Sequence, residues 1–213
     1  QILAQFDTLN NALKDKSGPL TGVLKVGLPP VIASTYFADI IMAFSQKYPQ
    51  VELQIIELSS NHMMNAMLKG DVETAAVMSP FDDQQFNLYH FATDRLMLLV
   101  SDKHPLATQN NVKFAELLNE PFIFFQDSFR INELVVSACG IYGKKPNIAG
   151  RSGHLDLVMA MVRAGVGITL LPESMWKKNH IEGLSIIPII EPILAYELAL
   201  ATLKESHRRP RVF

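Results

Sequence analysis

The chain has 213 residues, 48% of them hydrophobic, and a net charge of −2 at pH 7. This size fits one large α/β domain or two small lobes with a sizeable core. The longest apolar runs, such as residues 96–100, are too short to cross a bilayer. The one dense cationic stretch, at residues 207–211, is interpreted as a solvated tail rather than a nucleic-acid contact, so we expect no DNA binding by this chain alone.

Cysteine content and the N-terminal composition bear on the cellular compartment. Cys139 is the single cysteine, so an intrachain disulfide is excluded. Its place on the apolar face of a predicted helix favours a buried, unreactive thiol. No basic stretch followed by an apolar run opens the sequence, although a mature exported chain would have lost one. We therefore expect a cytoplasmic protein without a membrane segment.

Residues 1–17 differ in character from the rest of the chain. Ile2, Phe6, Leu9 and Leu13 form a narrow apolar stripe on an otherwise polar helix. This pattern is typical of a coiled-coil fragment. We interpret it as the end of a linker helix, with an ordinary N-terminal helix docked on the core as the alternative.

The next segment predicts a strand, a helix and a second strand. Residues 24–28 form a short apolar strand, and Pro29-Pro30 prevents its continuation. Apolar residues recur at helical spacing between positions 32 and 48, and residues 51–58 alternate as a strand. A parallel strand pair of this kind places a helix N-terminus at the carboxyl edge of the sheet, where α/β proteins hold small anions.

Alternation of helices and strands continues to the end of the chain. Ser59 to Asn61 supply N-cap candidates for a methionine-rich helix that ends at Gly70. Its methionines are interpreted as core filler, with an adaptable dimer or ligand surface as the alternative. Further strands are predicted at 74–78, 96–100, 122–125, 147–150, 168–172, 184–188 and 196–203, and further helices at 131–142 and 155–162. The pattern runs twice, which predicts two α/β lobes.

Signals of an enzyme are poor. The six histidines show no metal-ligand spacing, and the chain contains no Gly-x-Ser-x-Gly elbow and no phosphate-binding glycine loop. The glycines of Ala164-Gly165-Val166-Gly167 lie between a helix and a strand, which indicates a tight turn rather than a dinucleotide site. We expect no catalytic residues, no metal and no cofactor.

Several segments together resemble the effector-binding domain of LysR-type transcriptional regulators. They are residues 22–27, the 44–53 stretch with Tyr48-Pro49, the Ser101-to-Ala107 loop, and the run from Leu155 through Ala164-Gly165-Val166-Gly167 to Leu170-Leu171-Pro172. The resemblance covers residues 18 to 203. It implies the type 2 periplasmic-binding-protein fold, in which two Rossmann-like lobes are joined by two crossover strands.

The resemblance also implies an organisation and a function. Residues 1–17 are then the end of the linker helix, 18–99 and 196–213 form lobe I, and 100–195 form lobe II. DNA contact belongs to an N-terminal domain that this chain lacks. The expected function is sensing of a small, carboxylic acid effector between the lobes by a homodimer or tetramer. The alternative is a solute-binding protein of a transport system with the same fold.

Mapping the family's ligand site onto this sequence gives nine candidate residues. They are Pro30, Ser34, Thr35, Ser79, Ser101, Ser128, Phe129, Ser152 and His154. The family often has a hydroxyl just after the first strand, whereas here the hydroxyls come one helical turn later, at Ser34 and Thr35.

The residues themselves support three of these candidates. Ser128 and Ser152 each precede a predicted helix, where a hydroxyl lies beside unpaired backbone N–H groups, so N-capping and ligand contact are both open. His154 is the third, because a neutral imidazole at a helix start donates one N–H, with a surface role as the alternative. Arg151 and Arg130 suit a carboxylate partner, with a solvated surface charge as the alternative.

Overall fold

Two compact units make up the chain. The computed structural model describes residues 21–80, 84–126, 129–176 and 181–204. Unit 1 comprises residues 1–92 and 197–213, and unit 2 comprises residues 93–196. The chain therefore crosses between them at 92/93 and again at 196/197, whereas the sequence-based boundaries were 99/100 and 195/196. The predicted linker helix at 1–17 lies outside the described residues.

Unit 1 begins with the strand–helix–strand arrangement that the sequence predicts. Its elements are β1 (Gly22–Leu28), helix α1, β2 (Val51–Glu57), α2 (Ser60–Lys69), β3 (Thr74–Met78), and parts of β4 (Phe86–Ser101) and β10 (Ala195–Leu203). Helix α1 consists of three consecutive segments, α-helical Pro30–Ile32, π-helical Ala33–Phe37 and α-helical Ala38–Lys47. Strand β1 is parallel to both β2 and β3, and β10 is antiparallel to β3.

The core of unit 1 is built around the methionine-rich helix α2. Met63 and Met67 are fully buried, which confirms their interpretation as core filler. They pack with Val72, Ala75, Val77, Phe86, Ala199 and Ala201. Gly27 on β1 permits this packing, because a Cβ atom there would lie 2.1 Å from the Met63 sulfur. Helix α2 ends at Gly70, whose φ of +81° favours glycine.

Unit 2 contains the remaining elements. They are β5 (Val112–Lys113), β6 (Pro121–Phe125), α3 (Arg130–Ile141), β7 (Asn147–Ser152), α4 (Leu155–Arg163), β8 (Thr169–Pro172), the short α5 (Glu173–Trp176), β9 (Leu184–Glu191), and two 3₁₀ turns at Pro105–Thr108 and Phe114–Leu117. Strands β6 and β7 are parallel, and β4 is antiparallel to both β8 and β9. Buried strand β6 joins β8 through a parallel bridge between Phe122 and Ile168.

The glycine pair after α4 makes a tight turn, as the sequence predicts. Gly165 ends the helix with a φ of +76°, and its N–H donates to Val162 O at 2.9 Å. Gly167 passes so close to β6 that a Cβ atom would lie 2.3 Å from Pro121 O. Both glycines are thus required by backbone conformation and packing, and no nucleotide site is needed to explain them.

Two further sequence expectations concern burial. Cys139 is fully buried on α3, and burial raises the pKa of its thiol. Within the described residues, no helix has both the length and the hydropathy needed to cross a membrane.

Candidate functional site

The carboxyl edge of the parallel strands in unit 1 carries two of the predicted positions. Strands β1, β2 and β3 run the same way, with Leu28 opposite Glu57 and Gly27 opposite Ala75. The segments that follow them therefore meet at one edge. Pro30 starts α1 there, Ser59 precedes α2, and Ser79 follows β3. The structure thus brings Pro30 and Ser79 to a common edge.

The Ser34 and Thr35 hydroxyl groups of α1 form hydrogen bonds within their own helix. Thr35 Oγ1 donates to Val31 O at 2.7 Å, and Ser34 Oγ donates to the same carbonyl at 3.2 Å. This geometry occurs in the π-helical segment, where the normal helical hydrogen bond is displaced. Thr35 is buried and Ser34 is exposed. Each oxygen therefore presents lone pairs, and a carboxylate contact would require the hydroxyl to give up its bond to Val31.

Ser79 connects two strands of unit 1. Its N–H donates to Glu197 O at 2.9 Å, and its Oγ accepts from the Glu197 N–H at 2.9 Å. The hydroxyl oxygen thereby extends the pairing of β3 with β10 by one residue. Ser79 is half-buried, so this structural role leaves it in contact with solvent at the edge.

Ser59 and His62 form a pair at the same edge that sequence reasoning missed. Ser59 was identified only as an N-cap candidate, but its side chain makes no capping bond to α2. Instead the buried Ser59 Oγ lies 2.9 Å from Nδ1 of the exposed His62. The sequence signal for this pair is the spacing Ser-x-x-His at a helix start, because residue i+3 of the first turn lies beside the cap residue.

Unit 2 has a corresponding edge at the ends of β6 and β7. Phe125 lies opposite Ser152 in the parallel pairing, so the next residues, Gln126 and Gly153, are neighbours. The Gln126 side chain covers Gly153, and a Cβ atom there would lie 3.2 Å from the Gln126 carboxamide. Helices α3 and α4 both begin at this edge, and their first N–H groups give it a positive potential.

Ser152 and His154 shape the start of α4. The buried Ser152 Oγ accepts from the His154 N–H at 3.0 Å. His154 O in turn accepts from the Val158 N–H at 3.1 Å, so His154 is the N-cap residue by its backbone alone. Its imidazole is exposed and makes no capping bond. Ser152 therefore has a structural role, whereas the His154 ring faces solvent.

Phe129 and Asn132 organise the start of α3. The half-buried Phe129 ring stacks on Phe125 with ring centroids 5.1 Å apart. The Asn132 amide holds the end of β6 by three bonds, to Phe125 N at 3.1 Å, Phe125 O at 2.9 Å and Gln126 O at 2.9 Å. Asn132 was missed because an isolated asparagine inside an amphipathic helix carries no sequence signal for a contact seven residues away.

Two arginines flank this edge. The Arg151 guanidinium lies over the Phe124 ring, 5.4 Å from its centroid. Arg130 is the first residue of α3 and pairs with Glu133 at 3.4 Å. Because Glu133 and Asp156 occupy the first turns of α3 and α4, they offset part of the positive potential. The edge as a whole offers N–H donors, an imidazole and two guanidinium groups.

Ser101 and Ser128 are the remaining two candidates. Ser101 is buried at the far end of α4, where its Oγ donates to Arg163 O at 3.3 Å. His154 precedes the first residue of that nine-residue helix and Arg163 is its last, so Ser101 does not join the edge formed by Ser152 and His154. Ser128 lies outside the described residues.

In the part of the chain that the structure describes, no group of three or more His, Cys, Asp or Glu side chains could hold a metal ion.

Comparison with known proteins identifies the family. The sequence model of the LysR substrate binding domain matches residues 17–212. The chain belongs to this family. It is 30% identical to the uncharacterized HTH-type transcriptional regulator YwbI of Bacillus subtilis, over 93% of this chain and 65% of that protein. It is 31% identical to the transcriptional dual regulator GltC of the same organism, over 96% of this chain and 69% of that protein.

A solved structure has a similar fold. The BenM effector binding domain with its effector benzoate superposes with a TM-score of 0.73 at 20% identity, over 88% of this chain and 86% of that one. The LysR substrate binding domain has the type 2 periplasmic-binding-protein fold, so the fold predicted from the sequence is confirmed. The named relatives are transcriptional regulators, not enzymes. The chain spans about two thirds of their length.

Proposed function

We propose that this chain senses a small carboxylic acid metabolite and relays its binding to a DNA-binding segment of a cytoplasmic LysR-type regulator. The family match over residues 17–212 carries the proposal. Benzoate, the effector named for the BenM domain, is itself a carboxylate. The solute-binding alternative is not favoured, because the named relatives regulate transcription.

The edge of unit 2 supports an anionic ligand. It combines the starts of two helices, of 12 and 9 residues, with the exposed imidazole of His154 and the guanidinium groups of Arg130 and Arg151. Unpaired N–H groups at helix starts favour anions, and guanidinium groups form paired bonds with carboxylates. On unit 1 we propose that Pro30, Ser34 and Ser79 border the ligand, with the Ser34 hydroxyl turning from Val31 O to donate to the carboxylate.

Phe129, Ser152 and Thr35 have supporting roles in this proposal. Phe129 and Ser152 fix the helix starts of unit 2 by stacking and by the bond to the His154 N–H. Thr35 stabilises the π-helical segment that contains Ser34, through its hydrogen bond to Val31 O. We propose Ser128 as a further contact, since the resemblance maps the ligand site onto it. Ser101 is left out, given its position at the far end of α4.

Assembly and signalling follow the family in this proposal. The regulator acts as a homodimer or tetramer, and a ligand switches it only if two arrangements of the chain differ in affinity for that ligand. Contact with DNA belongs to a segment outside this chain.

A thermal-shift screen with acetate, pyruvate, succinate and benzoate tests the proposal. A true effector at one hundred times its dissociation constant adds about 2.7 kcal/mol of stability. We expect at least one acid to raise the melting temperature, and His154→Ala to reduce that shift. His90→Ala, which removes an exposed histidine of unit 1, is the matched control and should leave it intact. Equal ligand-induced shifts in melting temperature in the wild type and in His154→Ala would show that His154 does not contact the ligand.

A further inference from the structure

The start of α3 in unit 2 exposes an aromatic ring that has a second aromatic ring behind it. Phe129 is the N-cap residue of α3 and is half-buried. Its ring stacks on the ring of the buried Phe125, with an angle of 23° between the two planes. Because one face of the Phe129 ring is turned to Phe125, the exposed part of the ring is its other face and its edges. A flat apolar surface therefore borders this edge of unit 2.

The side-chain amide of Gln126 forms a second flat surface at the same edge. A Cβ atom at Gly153 would lie 3.2 Å from Cδ, 3.2 Å from Nε2 and 3.3 Å from Oε1 of Gln126. Since the three amide atoms are almost equally distant from that point, the amide lies face-on against Gly153. Gln126 is exposed, and its backbone carbonyl accepts from the Phe129 N–H at 3.0 Å, so the two residues adjoin. The shape of the edge thus suits a planar group.

The groups around the Phe129 ring favour a ligand that is both aromatic and anionic. Arg130 follows Phe129 in the chain, and α4 begins at the same edge with the exposed His154 as its N-cap. An uncharged ring would leave the N–H groups of the two helix starts without an anion. An aliphatic acid would leave the Phe129 ring without a stacking partner. A ring that carries a carboxylate satisfies both features.

Unit 1 carries a comparable pair of rings at its own edge. The half-buried Tyr36 lies edge-on to the half-buried Phe91, with ring centroids 5.8 Å apart and an angle of 73° between the planes. Phe91 follows His90, whose Nδ1 lies 3.3 Å from Oε2 of Glu197. Glu197 is also the backbone partner of Ser79. Phe91 and Tyr36 therefore lie at the end of the sheet that carries Ser79.

We infer that the effector is an aromatic carboxylic acid, whose ring stacks on the outer face of Phe129 while its carboxylate meets the helix starts of unit 2. This inference rests on the proposed function and narrows its class of ligand. Aromatic rings prefer offset-stacked or edge-to-face partners, and such pairs contribute more than their buried area alone. Phe129 is thus a specificity-determining residue, and Tyr36 on unit 1 favours the same class of ligand.

Calorimetric titration of the whole chain with matched acids tests this inference. Each aromatic acid is paired with its saturated analogue, benzoate with cyclohexanecarboxylate and phenylacetate with cyclohexylacetate. The carboxylate is the same within each pair, and only the ring changes from flat and aromatic to puckered and aliphatic. We expect at least one aromatic acid to bind about threefold to tenfold more tightly than its saturated analogue.

Variants of Phe129 locate the preference. Phe129→Leu should weaken binding of the aromatic acid about threefold to tenfold and leave the saturated acid nearly unchanged, whereas Phe129→Tyr should keep the preference. Tyr142→Leu is the matched control, because Tyr142 is the C-cap residue of the same helix, is 39% exposed and stacks on buried Phe114. If Phe129→Leu does not fold, Tyr36→Leu tests the same preference from unit 1, with a smaller loss expected.

The outcomes separate this inference from the proposed function. Equal affinities within both pairs, equal weakening of the aromatic and saturated acids in Phe129→Leu, or the same weakening in Tyr142→Leu would overturn the inference. Binding of pyruvate or succinate without binding of either aromatic acid would also overturn it and would leave the proposed function intact. Absence of binding for every acid would contradict the proposed function and the inference together.

Discussion

At the scale of single residues, polar side chains near the strand ends divide into those that hold the backbone and those that face solvent. Thr35, Ser79, Ser152 and Asn132 bond to main-chain groups, whereas the ring of His154 is exposed. The family resemblance pointed to Thr35, Ser79, Ser152 and His154 but did not separate the two groups. The direction of a hydroxyl depends on the backbone of its own turn, and for Ser34 and Thr35 that turn is π-helical.

Asn132→Ala tests the structural group. The substitution leaves Phe125 N without its partner at a buried site, and an unsatisfied buried donor is costly. We expect a loss of about 2–3 kcal/mol in the free energy of unfolding, measured by urea denaturation. Asn119→Ala, at an exposed asparagine bonded to Lys144, is the control and should cost less than about 0.5 kcal/mol. Similar losses in the two variants would show that Asn132 does not hold β6.

At the scale of helices and strands, local sequence patterns predicted most elements and missed strand segments that have no regular apolar pattern. Helices α2, α3 and α4 have clear apolar faces and glycine stops, and the structure confirms them. Strand β4 was predicted only at residues 96–100, yet it runs from Phe86 to Ser101. Its first half mixes Asn87, His90 and Thr93 with apolar residues, so neither a buried run nor a strict alternation signals a strand.

Two glycine substitutions test how the helices pack on the sheets. Gly27→Ala places a methyl group against the buried Met63, so we expect a loss of about 1–3 kcal/mol in unfolding free energy. Gly140→Ala on α3 meets no atom within 4 Å, so it should be neutral or stabilise by up to about 1 kcal/mol. Chemical denaturation of both variants checks this. If Gly27→Ala is as well tolerated as Gly140→Ala, the close approach of α2 to β1 is wrong.

The pairing of β5 with β9 predicts a pH dependence. Lys113 Nζ lies 2.8 Å from Glu191 Oε2, and this contact lowers the pKa of Glu191 and raises the pKa of Lys113. The ion pair therefore stabilises the fold fully at pH values above the usual glutamate pKa and below the usual lysine pKa. This stabilisation is lost in acid, as pH falls through the lowered pKa of Glu191, and in base, as pH rises through the raised pKa of Lys113.

Melting temperatures of the wild type and Glu191→Gln at low salt test this pH dependence. The wild type should melt slightly higher at neutral pH, with the difference vanishing in acid. Since both groups are exposed, added salt should shrink the difference. If the difference in melting temperature persists below the lowered pKa of Glu191, the effect of the substitution is due to packing and not to charge.

At the scale of the whole molecule, the fold followed from the order of segments along the sequence, whereas the ligand site remains a prediction. Two runs of alternating strands and helices predicted two α/β lobes, and the family match confirms the fold. The changes of unit at 92/93 and 196/197 were harder to predict, since they fall inside continuous strands. Contacts such as Asp94 with Tyr196 join residues far apart in sequence, so they leave no local pattern.

Calorimetric titration of the wild-type chain with the strongest acid from the thermal-shift screen tests the central claim most directly. The account predicts saturable binding of one ligand per chain, with weaker binding in His154→Ala and unchanged binding in His90→Ala. Absence of saturable binding for every acid in the screen would contradict it.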